Sequence, residues 1–241
     1  MIRHRIEIKK TAVAVVAVLT LLVSGCDEGK IYPSEQTGSN EGVTVRMTGR
    51  VSGITDFYGS GYSIALAVFS GDSDFAEVSK NIDGSGEEVT LSNAAVTVGK
   101  TELCVLNTLR KRVFTLVEGP EITGDGGEII TFDIGDADAS PFNVINEKVF
   151  ATTCIQCHGG TGHSAAGLNL DREKAYSMLV GIESTVEEGM LRVDPGYPSG
   201  STLWEAIATD VSAGWSFSHS NLLEPERIGF ITNWIEKGAE Q

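Results

Sequence analysis

The run Cys154-Ile155-Gln156-Cys157-His158 sets two thiols three residues apart and an imidazole beside the second. Thiols at that spacing reach neighbouring edges of one porphyrin and can add across its two vinyl groups, while the following residue turns its imidazole toward the iron. Two other chemistries use a C-x-x-C pair. A zinc site needs four ligands, and no second Cys/His pair at suitable spacing follows. A dithiol redox pair of thioredoxin type expects a βαβ setting, whereas the flanks here read as helix and as the glycine-rich Gly159 to Gly162. The pentapeptide therefore predicts one covalently bound haem c per chain, with Cys154 and Cys157 as its attachment points and His158 as the proximal iron ligand.

These residues need helices to hold them. Ser140 and Pro141 can start one whose Phe142, Ile145 and Val149 share a face and which delivers the chain to Cys154. Asp171 can cap a short helix bearing Ala175 and Leu179 that stops near Gly181. Ser201 can cap another with Leu203, Ala206 and Ile207 on one side. Pro225 opens the last, where Ile228, Ile231 and Ile235 form a stripe with Phe230 and Trp234 alongside, and Gly238 closes it. Residues 141–241 thus read as an all-helical domain.

Several short strings follow the same order. They are Val149-Phe150, Ala166-Gly167-Leu168-Asn169-Leu170, Val193-Asp194-Pro195-Gly196-Tyr197-Pro198 with Ser201 and Leu203, and Trp234-Ile235-Glu236-Lys237-Gly238-Ala239. On these strings around C-x-x-C-H, the second domain resembles the small single-haem cytochrome c domains of exported bacterial proteins. The resemblance implies that the first and last helices cross and cover one edge of the haem. It also implies a second axial ligand, usually Met, from the loop before the last helix. Here Ala208 to Glu224 contains no Met, and His219, in Trp215-Ser216-Phe217-Ser218-His219-Ser220, takes that place. A second imidazole lowers the reduction potential relative to Met/His ligation. Met190 is the alternative distal ligand, an open iron is a third arrangement, and His219 would then be free to bind a haem propionate. Leu168, Leu170, Leu179, Leu203, Ile207, Phe217 and Leu222 are available to line the pocket. Two strong ligands make the protein an electron carrier and not an enzyme; an open iron would admit small ligands or peroxide.

Residues 1–25 read as a targeting segment: Arg3, Arg5, Lys9 and Lys10 precede an apolar run from Thr11 to Val23 that is short for a membrane span. Val23-Ser24-Gly25-Cys26 resembles the lipobox of bacterial lipoproteins, which implies a lipidated Cys26, a signal peptide and a membrane anchor. The polar residues 26–40 read as a tether. Haem attachment to C-x-x-C-H occurs on the exported side of the bacterial membrane, so motif and address agree on the cell envelope of a Gram-negative bacterium, either periplasmic face or cell surface. The chain carries a net charge of −15, and since residues 1–25 contribute +3, the remainder carries −18. Such acidity repels nucleic acid and suits a basic redox partner. The fourth cysteine, Cys104, lies in the apolar Leu103-Cys104-Val105-Leu106 and reads as a buried, inert thiol.

Between residues 41 and 135 apolar and polar residues alternate with period two, first at Val43, Val45, Met47 and Val51 and then at Ile64, Leu66 and Val68. Five further runs (75–82, 89–91, 103–106, 113–117 and 129–134) bring the strand candidates to seven, separated by Gly/Asp/Ser turns. This predicts an antiparallel β-sandwich of immunoglobulin or transthyretin type, which contains no His and no catalytic constellation. Gly135 to Ser140 marks the boundary between the two domains. The functional expectation is extracytoplasmic electron transfer with redox partner proteins or quinol-linked donors. The alternative is a surface binding or assembly lipoprotein, with the aromatic turn Phe57-Tyr58-Gly59 as its working part and the haem domain structural or sensory.

Overall fold

Alternation of apolar and polar side chains produces seven strands: β1 (Thr44–Ser52), β2 (Tyr62–Phe69), β3 (Val78–Asn81), β4 (Glu88–Ser92), β5 (Gly99–Asn107), β6 (Arg112–Ile122) and β7 (Ile129–Asp138). They coincide with the seven runs that alternation marks. The structure, a computed structural model, describes residues 42–241 apart from 85–87, 93–95, 97, 125–126, 161, 212–213 and 216. The targeting segment, Cys26 and the tether lie outside the described residues. No helix among the described residues is long and apolar enough to cross a membrane.

The strands form two sheets, ordered β4-β1-β7 and β3-β2-β5-β6. Val45, Met47 and Val51 of β1, with Phe132 and Ile134 of β7, meet Ile64, Leu66 and Val68 of β2 and Leu103 and Val105 of β5 in one apolar cluster. The expectation of a wholly antiparallel arrangement is corrected at one pair. β1 runs parallel to β7, from Thr44 opposite Ile129 to Ser52 opposite Asp138. β7 is reached by a crossing from the other sheet and not by a hairpin within its own, so no tight turn dictates its direction. At Gly49 the register shifts; this residue has φ +128°, and a Cβ there would stand 2.5 Å from Gly135 O.

Strands β2 and β5 are buried on both faces. Their outer face carries Ala65, Ala67, Phe69, Cys104 and Leu106, joined by Ala76 from the segment after β2. Cys104 has no exposure, and burial pushes its thiol far above the usual range.

The helical part starts with α1, residues 141–158. It is α-helical over Pro141–Ile145, widens to a π-helix over Asn146–Cys154 and returns to α over Ile155–His158. Then come α2 (Ala175–Leu179), α3 (Thr202–Ala208) and α4 (Pro225–Glu236). The three expected caps do other work. The Ser140 hydroxyl makes no cap bond. Ser201 Oγ instead accepts from Asp194 N–H at 2.8 Å and donates to Tyr197 O at 3.0 Å. Asp171 lies before the first turn of α2, and its Oδ1 accepts the Gly160 N–H at 3.0 Å. The Ser201 and Asp171 side chains are thus engaged by loop backbone groups.

Helices and strands share one core, in one compact unit. Phe230 of α4 inserts among Phe57, Tyr62 and Phe114, with ring centroids 5.9, 5.1 and 5.3 Å away. Trp234, one turn on, meets Phe142 of α1 at 5.7 Å. At the margin Lys111 pairs with Glu226, and Lys237 Nζ donates to Tyr58 O at 2.7 Å. In the Phe57-Tyr58-Gly59 turn, Phe57 is buried while the Tyr58 side chain is 61% exposed, and the Tyr58 carbonyl accepts from Lys237 just after α4.

Candidate functional site

The first helix sets the geometry. Over Asn146–Cys154 its hydrogen bonds lengthen to the i−5 type, Ile155 N–H donating to Phe150 O. Val149 and Phe150 stay fully buried, and the next turn stands out from the core with Cys154 half-buried and Cys157 exposed. Burial, and secondarily the neighbouring Cys157, pushes the Cys154 thiol up to about 11. A dithiol redox pair works with a thiol shifted the other way, toward the thiolate. Among the described residues no group of three or more His, Cys, Asp or Glu could hold a metal ion, as a zinc site would require.

After His158 the chain folds back on itself. Leu170 N–H donates to His158 O at 2.6 Å, and residue 158 bridges to Ser164. The His158 Nδ1 lies 3.0 Å from Ala165 O. A carbonyl only accepts, so Nδ1 carries the proton and Nε2 keeps a lone pair for a metal. That carbonyl belongs to the turn Ala165–Gly167, in which Ala166 adopts φ 54°, ψ 22°, the left-handed region that costs a non-glycine residue about 1 kcal/mol or more.

His219 comes from the loop before α4. Its imidazole is 6.2 Å from that of His158, centroid to centroid, with the ring planes 28° apart. Phe217 and Trp215 meet it edge-on at 5.1 and 6.3 Å, and Trp215 Nε1–H donates to Glu187 Oε1 at 2.7 Å. His219 Nδ1 is buried without a hydrogen-bond partner. Burial, and then the nearby His158, lowers its pKa, which keeps a lone pair on the ring. Two metal–nitrogen bonds of about 2.0 Å and two imidazole radii of about 1.1 Å together span roughly 6 Å, so the observed separation fits one iron between the rings.

The other residues singled out in the sequence divide. Met190 is half-buried where the turn carrying Glu187 ends, its N–H donating to Glu187 O at 3.3 Å; it belongs to the turn that supports Trp215. Leu170, Leu179 and Ile207 are buried, Leu168 and Leu203 pack partly against the same core, and Phe217 and Leu222 are exposed. Three contributors carry no mark in the sequence. The Ala165 carbonyl is backbone, Glu187 sits in an ordinary polar run, and Arg192 looks like a surface cation.

A family described as Planctomycete cytochrome C matches residues 154–214. The match begins on Cys154 and stops short of His219. No curated protein and no solved structure matches the chain. The helical part is therefore cytochrome c-like, with covalently bound haem c as the cofactor of that family and haem-based electron transfer as its chemistry.

Proposed function

We propose that this chain is a single-haem electron carrier whose iron is ligated by His158 and His219. The haem is attached through Cys154 and Cys157. The observation that carries the reading is the pair of imidazoles 6.2 Å apart, each with the features a ligand needs. His158 has its Nδ1 proton committed to a carbonyl, and His219 has an unpartnered, buried Nδ1 and a pKa lowered by burial and then by His158. Bound there, the haem supplies one-electron redox chemistry. The chain attaches it, presents two nitrogen donors and leaves no position for substrate, so it functions without bond-making catalysis. Met190 as distal ligand is less favoured, since its segment is engaged in supporting Trp215.

The carrier works outside the cytoplasm as a lipoprotein anchored through Cys26 to a membrane of the Gram-negative envelope. It exchanges electrons with basic redox proteins or quinol-linked donors. The sandwich, of immunoglobulin or transthyretin type, serves it as a scaffold, because Phe230 joins it to the helix that follows the His219 loop.

The test is the visible spectrum of the protein made in a host competent for haem attachment, oxidised and dithionite-reduced, beside His219→Ala and Cys154→Ala/Cys157→Ala. Low-spin bands in the wild type and high-spin bands in His219→Ala are expected, with no covalent haem in the double cysteine variant. A high-spin wild type refutes the bis-imidazole ligation, and covalent haem in the double variant refutes the attachment.

A further inference from the structure

Arg192 is 8% exposed, and each of its hydrogen-bond acceptors among the described residues is a backbone carbonyl. Nη1 donates to Met178 O at 2.9 Å, and Nη2 reaches Gly167 O at 3.4 Å and Ala166 O at 3.5 Å. Its own backbone is fixed on both sides, its N–H donating to Ile182 O at 2.7 Å and its carbonyl accepting Leu203 N–H at 2.9 Å. The Ala166 carbonyl also accepts from Thr185 Oγ1 at 2.8 Å. A charge taken so far out of water persists only where it is fully solvated by the protein. The planar guanidinium can serve carbonyls from two segments at once, which an ammonium does poorly.

The two carbonyls that Nη2 reaches belong to the strained residue of the proximal turn and to the residue after it. Ala166 sits in the left-handed region, a conformation it keeps only under external constraint. The residue before it supplies the carbonyl that receives the His158 Nδ1 proton. We infer that Arg192 is a positioning residue for the proximal imidazole: it clamps Ala166 and Gly167, which places the Ala165 carbonyl, which sets the plane of the His158 ring. The inference rests on the haem-ligating role of His158 proposed above.

Ring orientation has its own spectroscopic signature. In a ferric bis-imidazole centre, near-parallel ligand planes split the iron dπ orbitals and give a resolved rhombic electron paramagnetic resonance (EPR) spectrum. Planes turned toward perpendicular give a single large-g feature. The 28° angle between His158 and His219 predicts a rhombic wild type. In Arg192→Ala, at equal haem content and unchanged far-ultraviolet circular dichroism, most of the rhombic signal should be lost into a broad large-g component. Adding Ala166→Gly should bring it back, because glycine occupies the left-handed region without a clamp. That substitution also relieves the strain at residue 166, so each variant's melting temperature is read beside its spectrum, and recovered stability without a recovered rhombic signal counts against the inference. Arg192→Lys provides the milder variant should Arg192→Ala not fold, with partial loss expected.

A rhombic spectrum unchanged in both Arg192 variants overturns the inference, as does a loss that Ala166→Gly fails to restore. A wild type without low-spin haem would overturn the bis-imidazole reading and this inference with it. A low-spin wild type with indifferent Arg192 variants overturns this inference alone.

Discussion

Replacing Phe230 by Ala tests whether strands and helices form one cooperative structure. The ring is 3% exposed and meets three others at 5.1 to 5.9 Å. Truncating a buried phenylalanine costs about 3–5 kcal/mol, a large part of the roughly 5–15 kcal/mol that holds a domain folded. All three tryptophans (Trp204, Trp215 and Trp234) lie in the helical part, so their fluorescence reports on that part, while circular dichroism in the strand region reports on the sheets. Urea unfolding should give coincident transitions for both probes in the wild type. With a urea dependence of about 2 kcal/mol per molar, Phe230→Ala should lower the shared midpoint by about 2 M. Separate wild-type transitions, or a midpoint change below about 0.5 M, would refute the shared-core argument.

Three further outcomes are expected. Glu102, buried on the outer face of β5, accepts from Arg112 Nη1 at 2.6 Å and Thr115 Oγ1 at 2.7 Å. Arg112→Ala should therefore cost about 3–5 kcal/mol by leaving that carboxylate unpaired, and Glu102→Leu added to it should recover a measurable part in the same urea titration. The Lys111 hydrogen bond holds the Glu226 carboxyl below its usual range. Its contribution is thus complete above the unfolded pKa of about 4.3 and lost as pH falls through the folded value. Melting curves of wild type and Glu226→Gln should accordingly differ at pH 7 and converge on acidification. Gly53, at φ +76°, has room for no side chain, since a Cβ would stand 2.3 Å from Ser140 N. Gly53→Ala should lower the melting temperature, and an unchanged value would mean that the approach of β1 to the start of α1 is looser than described.

What could be read from the sequence followed the range of the interactions involved. Strand positions depend on local alternation, and all seven were visible. The C-x-x-C-H run depends on five adjacent residues, and the absence of Met from Ala208 to Glu224 singles out His219. The parallel β1–β7 pairing, by contrast, joins residues some 85 positions apart, with no turn to announce it. The caps at Ser140, Asp171 and Ser201 are plausible by type, but Asp171 and Ser201 are engaged by loop backbone groups and the Ser140 hydroxyl makes no cap bond. Phe230 looked like one more apolar residue beside a helical stripe, and only the assembled fold shows that it leaves the helical core for the sandwich. Arg192 was hidden for a related reason: carbonyl groups occur at every residue, so a side chain that binds them has no complementary partner to find in the sequence.

The complete burial of Cys104 on the outer face of β5 has a consequence for maturation. Once that sheet closes, the third thiol is out of reach of oxidants and of its two later counterparts. With Cys26 lipidated and haem attached as proposed, attachment then faces two thiols and one possible pairing instead of three thiols and three. In the folded protein the sandwich in this sense simplifies the redox problem at the proposed haem-binding segment.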